Sequence, residues 1–127
     1  MGLKKMHKNS LSDFVDILEE AAHLFAAMGF REMAVKMKEP YSVVEFKRDD
    51  TIITYLYGPG DWEISFLIDT LGKRYEFKDL LDLPKIRQWV ANNRYVQTEG
   101  KNIKDEIYYS IALLKFSLQI IDSNDFA

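Results

Sequence analysis

The chain contains no cysteine and only 2 histidines, and these shortages exclude several kinds of chemistry. Without thiols there is no disulfide, no thiolate nucleophile and no cysteine-based metal site, which is compatible with a reducing compartment. His7 lies near the start and His23 on the polar side of a predicted helix, so their spacing gives neither a metal cluster nor a Ser-His-Asp triad. We therefore predict a protein that is not an enzyme, with no catalytic residue, metal site or cofactor.

Long apolar runs and a strong charge of one sign are also missing. No apolar run approaches the roughly 20 residues that span a bilayer, and residues 1–9 lack the apolar core of a secretory signal. The net charge of −3 comes without a clustered basic face, which argues against a nucleic-acid partner. We expect a cytoplasmic protein that binds neither membranes nor nucleic acid, with residues 1–9 as a flexible tail.

What the chain does contain is enough apolar material for one folded core. It has 127 residues, of which 47% are hydrophobic and 13% aromatic, so it is neither disordered nor low in complexity. This length predicts one domain over residues 1–127.

The segment 41–77 predicts an antiparallel meander, because four short stretches alternate polar and apolar residues. Turns at 49–50, 58–61 and 70–73 align the apolar residues on one face in all three connections. A slip of one residue would turn each apolar set outward, so the agreement of three turns favours this register. The predicted pairs include Phe46 with Ile53, Val44 with Tyr55, Tyr57 with Trp62, Ile53 with Phe66, Ile68 with Tyr75, and Phe66 with Phe77.

Apolar spacing of three and four residues predicts helices before and after this sheet. The first helix begins after a serine cap at position 10 or 12 and ends at Gly29. A short helix reaches Asn93 with Pro84 in its first turn, and the last helix spans Ile103–Asp122.

Residues 31–38 fit either a strand or a helix face, and we favour a strand that extends the meander. The predicted fold is therefore α+β: a four- to five-stranded antiparallel meander, packed on one face by N-terminal and C-terminal helices.

The last helix carries two apolar stripes and so needs two surfaces to bury them. One surface is the sheet; the other is the first helix or a second copy of the chain, and we favour packing within the chain. The second stripe, which leaves a homodimer through this helix open, consists of Tyr109, Leu113, Phe116 and Ile120.

The face of the sheet turned away from the helices holds the candidate binding site. If no helix covers it, its aliphatic residues, among them the predicted pair Ile52 and Leu67, form an exposed patch fringed by carboxylates. The alternative is ordinary β-propensity on a solvated face. Trp62, beside the turn at 58–61, either anchors a partner or joins the core. The predicted partner-binding residues are Val43, Glu45, Ile52, Leu56, Asp61, Trp62, Glu63 and Leu67.

One enzymatic alternative comes from Glu45-Phe46-Lys47, which resembles the last element of the PD-(D/E)xK nuclease signature. In that signature the Glu and an upstream Asp hold a divalent metal while the Lys stabilises developing charge. No Asp occurs between Asp16 and Asp49, and a second Glu-x-Lys at 76–78 follows Asp61, which lies in a predicted loop. A metal-dependent nuclease is thus our third hypothesis.

A broader resemblance covers residues 11–83. The pattern consists of a helix ending in Gly29-Phe30, followed by the stretches 41–47, 51–55, 62–66 and 75–81. It resembles that of small single-domain bacterial proteins, which include immunity proteins of polymorphic or contact-dependent toxin systems. The resemblance implies a cytoplasmic protein that binds a toxin domain and covers its active surface without chemistry of its own. Our second hypothesis is a homo-oligomeric structural or small-ligand-binding protein.

Overall fold

The computed structural model describes residues 11–38, 41–58, 64–94 and 103–126. Within these ranges the strands form one antiparallel sheet, and each strand lies beside its neighbours in the chain. The helices are α1 (Leu11–Glu20), α2 (Ala22–Ala27), α3 (Phe77–Leu81), α4 (Pro84–Asn92) and α5 (Ile103–Ser123). The strands are β1 (Glu32–Lys38), β2 (Tyr41–Arg48), β3 (Thr51–Tyr57), β4 (Ile64–Thr70) and β5 (Lys73–Tyr75). The predicted flexible tail, residues 1–9, lies outside the described residues.

The helices pack on one face of the sheet, here called the inner face, and this confirms the predicted α+β architecture. Alternate residues of β2, β3 and β4 point to that face and are buried, including Phe46, Tyr55 and Ile68. They form one core with helix residues such as Leu18 and Leu114.

The register of the meander is confirmed at two of its three predicted connections. Phe46 lies opposite Ile53 and Ile68 lies opposite Tyr75, as the short turns predict. Leu71 and Gly72 have φ angles of 49° and 79°, as a type I′ hairpin turn requires.

Between β3 and β4 the predicted pairing is wrong by two residues. Ile53 lies opposite Ile68 instead of Phe66, because the connection from Tyr57 to Ile64 is longer than the turn we predicted. The same shift places Leu67 opposite Thr54, so Ile52 and Leu67 are not a direct pair. A shift of two preserves the face of every side chain, which is why the predicted inner face is still correct.

Phe77 was expected in a strand opposite Phe66, and that prediction is wrong. The chain turns into α3 because Glu76 caps it: the Glu76 backbone N–H donates to the Asp79 side chain at 2.8 Å, and the Glu76 side chain accepts in return. Phe77 is therefore the first residue of a helix and is 44% exposed. For the same reason Glu76 belongs to a helix cap and not to a strand.

Gly29 ends α2 in a Schellman motif. Its φ is +95°, and the Phe30 N–H donates to the Phe25 carbonyl at 2.9 Å. The rings of Phe25 and Phe30 meet edge to face at 6.4 Å, which supplies the apolar contact typical of this motif. The chain then enters β1, so the strand interpretation of residues 31–38 is correct.

Both apolar stripes of α5 are used within the chain. Leu114 and Leu118 of the first stripe are buried, and α1 contacts the same helix. On the second stripe Leu113 and Ile120 are buried, while the Trp89 ring of α4 lies 5.8 Å from the rings of both Tyr109 and Phe116. A homodimer through this stripe stays a prediction, but most of the stripe is already covered.

Candidate protein-binding face

The second face of the sheet, here called the outer face, carries a group of apolar side chains among polar ones. Val43 lies opposite Leu56, and Leu67 lies opposite Thr54, between the positions of Ile52 and Leu56. Tyr41 shares the face because it is two residues before Val43 on the same strand. We call this group the apolar strip; its members are Tyr41, Val43, Ile52, Leu56 and Leu67.

No member of the apolar strip belongs to the hydrophobic core of the described residues. Ile52, Leu56 and Leu67 are half-buried, and Tyr41 is 43% exposed. Val43 is only 8% exposed, so this predicted binding residue is less accessible than we expected. The strip therefore faces outward as a shallow surface with Val43 at its base.

Tyr41 is the member of the strip that the sequence prediction missed. A Cβ atom added to Gly58 would clash with Cδ1 of the Tyr41 ring, so this ring occupies the space that a side chain at position 58 would fill. Glycine is needed at position 58 for that close approach. The β2–β3 register, continued by one pair past Ser42 and Tyr57, could have shown that Tyr41 and Gly58 are opposite each other.

Two carboxylates beside the strip, those of Glu45 and Asp69, are each paired with a cation from an edge strand. Lys36 Nζ of β1 lies 3.1 Å from Oε1 of Glu45, and Arg74 Nε of β5 donates to Oδ1 of Asp69 at 2.8 Å. The predicted acidic fringe is therefore a rim of two ion pairs, one on each side of the strip. Exposed pairs of this kind add little stability, so their main effect is to set the charge of the face.

Three of the predicted partner-binding residues, Asp61, Trp62 and Glu63, lie outside the described residues. The other five lie on the outer face, as predicted from the alternation. The sequence therefore predicted that these five residues share a face, but not that Lys36 and Arg74 pair with the carboxylates beside them.

The residues of the nuclease hypothesis on this face do not form a metal site within the described residues. Glu45 and Lys47 share the outer face, but Glu45 is paired with Lys36, and no three acidic or histidine side chains in the described residues gather to hold a metal. The nuclease hypothesis gains no support from this geometry. On the inner face, burial raises the pKa of Tyr55, whose hydroxyl lies 2.6 Å from Ser110 Oγ, so this phenol keeps its proton.

A second surface feature is a shallow groove of about 400 Å³ between α4 and α5. Trp89 and Phe116 form its apolar wall. Several polar groups of its lining have partners within the chain: Asn93 Nδ2 donates to the Trp89 carbonyl at 2.9 Å, Gln88 Nε2 donates to Asn92 Oδ1 at 3.3 Å, and Lys85 pairs with Asp125 at 2.6 Å. The groove thus offers a small ligand an aromatic wall beside polar groups that are already partly hydrogen-bonded.

Comparison with known protein families, curated protein sequences and solved structures gives no match for this chain. Among the described helices, none has both the length and the hydrophobicity needed to cross a membrane. The functional conclusion therefore depends on the outer face itself.

Proposed function

We propose that this protein is a non-catalytic binding module that docks onto another protein through the outer face of its sheet. The observation that carries the proposal is the apolar strip, which stays outside the core and is flanked by two ion pairs. An apolar centre with a polar rim is the usual composition of protein interfaces. Tyr41, a half-exposed aromatic residue at one end of the strip, is of the type that anchors a partner.

The charges of the rim indicate which kind of protein surface would fit this face. Because Glu45 and Asp69 are neutralised by Lys36 and Arg74, the face does not select a strongly basic surface. It fits a protein surface with an apolar centre and charges of both signs around it. Hydroxyl groups of Thr54 and Ser65 lie among the apolar residues and can hydrogen-bond to such a partner.

The specific form we propose is an immunity-type inhibitor of a bacterial polymorphic toxin system, acting in the cytoplasm. Such an inhibitor works by covering the active surface of its toxin, which requires a complementary face and no reactive groups. The resemblance of residues 11–83 to immunity proteins and the apolar strip outside the core support this form.

The test uses the protein domain encoded by the neighbouring open reading frame as the candidate toxin. We expect the protein to bind the purified domain and to restore growth of cells that produce it. Leu67→Arg places a charge in the centre of the strip, and we expect it to weaken binding at least 10-fold and to abolish protection. Ala91→Arg, at an exposed position of α4, is the matched control and should protect like the unchanged protein.

Circular dichroism of both variants separates loss of binding from loss of folding. If Leu67→Arg folds, binds and protects as well as Ala91→Arg, the outer face is not the docking surface. If the adjacent domain is not toxic, or is not bound, the immunity form is wrong.

A further inference from the structure

The strand β1 forms one edge of the sheet and has β2 as its single strand neighbour in the described residues. Such an edge presents backbone N–H and C=O groups that can pair with another strand. Val35, in the middle of β1, is 42% exposed, although it lies on the inner face opposite the buried Val44. An additional strand at this edge would extend the sheet and shield Val35.

We propose that a second copy of this chain occupies this edge, with the two β1 strands antiparallel and Ala34 opposite Ala34 of the second copy. The two sheets then become one continuous sheet with all outer faces on the same side. A twofold axis normal to the sheet produces this arrangement, because it pairs residues that already share a face.

The charges along β1 favour this register. With Ala34 on the axis, Glu32 lies opposite Lys36 of the second copy on the outer face, and the contact occurs twice. On the inner face Met33 lies opposite Val35 of the second copy, which joins apolar side chains across the strands.

Two neighbouring registers that keep the faces aligned are less complementary. An axis at Lys36 places this lysine opposite itself, which is repulsive. An axis at Met33 places Glu32 opposite Ala34, and the charge match is lost.

A third register, with its axis at Val35, also places Glu32 opposite a lysine, Lys38. The charge-exchange and cross-linking experiments below separate it from the proposed register.

The charged groups are available for the contact. Both Glu32 and Lys36 are exposed, and no ion pair of Glu32 occurs in the described residues. Lys36 pairs with Glu45 within the chain but keeps 54% of its side chain exposed, so it can contact both carboxylates. One strand pair is smaller than a standard protein interface, so we expect a dimer that forms as concentration rises.

The first experiment is charge exchange, followed by sedimentation equilibrium. Glu32→Lys alone and Lys36→Glu alone each place like charges opposite each other twice, and we expect each to weaken self-association about 10-fold. An equimolar mixture of the two variants restores both attractive pairs, so it should dimerise like the unchanged protein. A misfolded variant would not be rescued in this way. Glu19→Lys, an identical charge change at an exposed position of α1, should leave dimerisation unaltered.

The second experiment determines the register and uses the absence of cysteine in the chain. Residues directly opposite in an antiparallel pair have Cα atoms about 4.5–5.5 Å apart, which a disulfide can span. Ala34→Cys should therefore cross-link into a covalent dimer on mild oxidation. Val35→Cys should not, since its Cα would lie on the order of 8 Å from its copy.

Three results would overturn the proposal: a chain that stays monomeric at all concentrations, a mixture of the exchange variants that does not associate, or cross-linking of Val35→Cys in preference to Ala34→Cys. These outcomes are independent of the proposed function, because toxin protection is measured on the outer face with Leu67→Arg.

Discussion

The two faces of the sheet are built from the same strands with the same alternation, yet they meet different surroundings. On the inner face Phe46 and Tyr55 are almost completely buried, whereas on the outer face Ile52 and Leu67 are only half-buried. Alternation determines which residues share a face, and the helices determine which face becomes the core. The difference separates residues that stabilise the fold from residues available to a partner.

Aromatic contacts explain why the helices pack on the inner face. Phe25 of α2 stacks on Phe46 of β2 with ring centres 3.8 Å apart, and Phe14 of α1 stacks on Tyr57 of β3 at 4.9 Å. Aromatic rings of this size bury more surface than the aliphatic residues of the outer face, so packing helices there gains more free energy.

The largest expected contrast is between truncations on the two faces. Phe46→Ala removes a ring that is 1% exposed and stacked on Phe25, so we expect the free energy of unfolding to fall by about 3–5 kcal/mol. Leu67→Ala removes a half-buried side chain without opening the core, and we expect a loss of about 1 kcal/mol. Urea denaturation measures both, and equal losses would mean that the outer face is also part of the core.

An ion pair on the inner face should contribute more to the free energy of unfolding than an ion pair on the outer face. Arg48, at the inner-face end of β2, donates to the Met28 carbonyl at 2.9 Å and to both carboxylate oxygens of Asp122 at 3.0 Å, and its guanidinium lies 4.7 Å from the Phe30 ring centre. Its side chain is only 21% exposed. We expect Arg48→Met to cost about 2 kcal/mol, since bonds of this kind involve a partly desolvated charge.

The matched outer-face change is Lys36→Met, which removes the exposed pair with Glu45. We expect a loss below about 0.5 kcal/mol, reduced further by added salt. Denaturation midpoints in low and high salt check both variants. If Lys36→Met lowers the free energy of unfolding as much as Arg48→Met does, the expected difference between outer-face and inner-face ion pairs is wrong.

The smallest effect we predict appears only at alkaline pH. Burial raises the pKa of Tyr55 above its ordinary value of 10.0, and the Ser110 hydrogen bond lowers it by less. Above pH 10 the unfolded chain loses this proton while the folded chain keeps it, so stability should fall by up to about 1.4 kcal/mol per pH unit. Tyr55→Phe should lessen this slope, at a cost of about 1 kcal/mol near neutral pH for the lost hydrogen bond.

Tyr41→Phe, on the outer face, is the control for that measurement, because it leaves Tyr55 in place and should keep the original slope. Thermal or urea unfolding between pH 8 and about 11 provides the comparison. If Tyr55→Phe shows an unchanged slope, Tyr55 is not protected from solvent in the folded protein.

Much of the fold was predictable because a short turn between two strands leaves few possible pairings of their residues. The turn at Asp49-Asp50 joins β2 to β3 directly, so alternation alone fixed the pairing of Phe46 with Ile53. The connection from Tyr57 to Ile64 is longer, and no short turn determines its register. The shift of two residues there preserves the alternation, so the hydrophobic pattern could not detect it.

The composition of the outer face was less predictable than its position. In the sequence, Glu45 and Asp69 indicate an acidic fringe. Their cationic partners, Lys36 and Arg74, lie on other strands, so the two ion pairs become visible only when the strands are paired. The helix start at Phe77 was missed for a similar reason. The side chains of Glu76 and Asp79 satisfy the backbone of each other's residues, and this local bonding outweighs an alternation that would have continued the strand.

The sequential order of the strands has a consequence for synthesis on the ribosome. Each hairpin joins neighbouring segments, so the sheet can form soon after its residues emerge. The last helix, α5, spans Ile103–Ser123, and its Ser110 lies 2.6 Å from the Tyr55 hydroxyl, so this contact forms only after all five strands have been translated. Until then Tyr55 lacks that partner, and the nascent chain exposes apolar surface to which chaperones can bind.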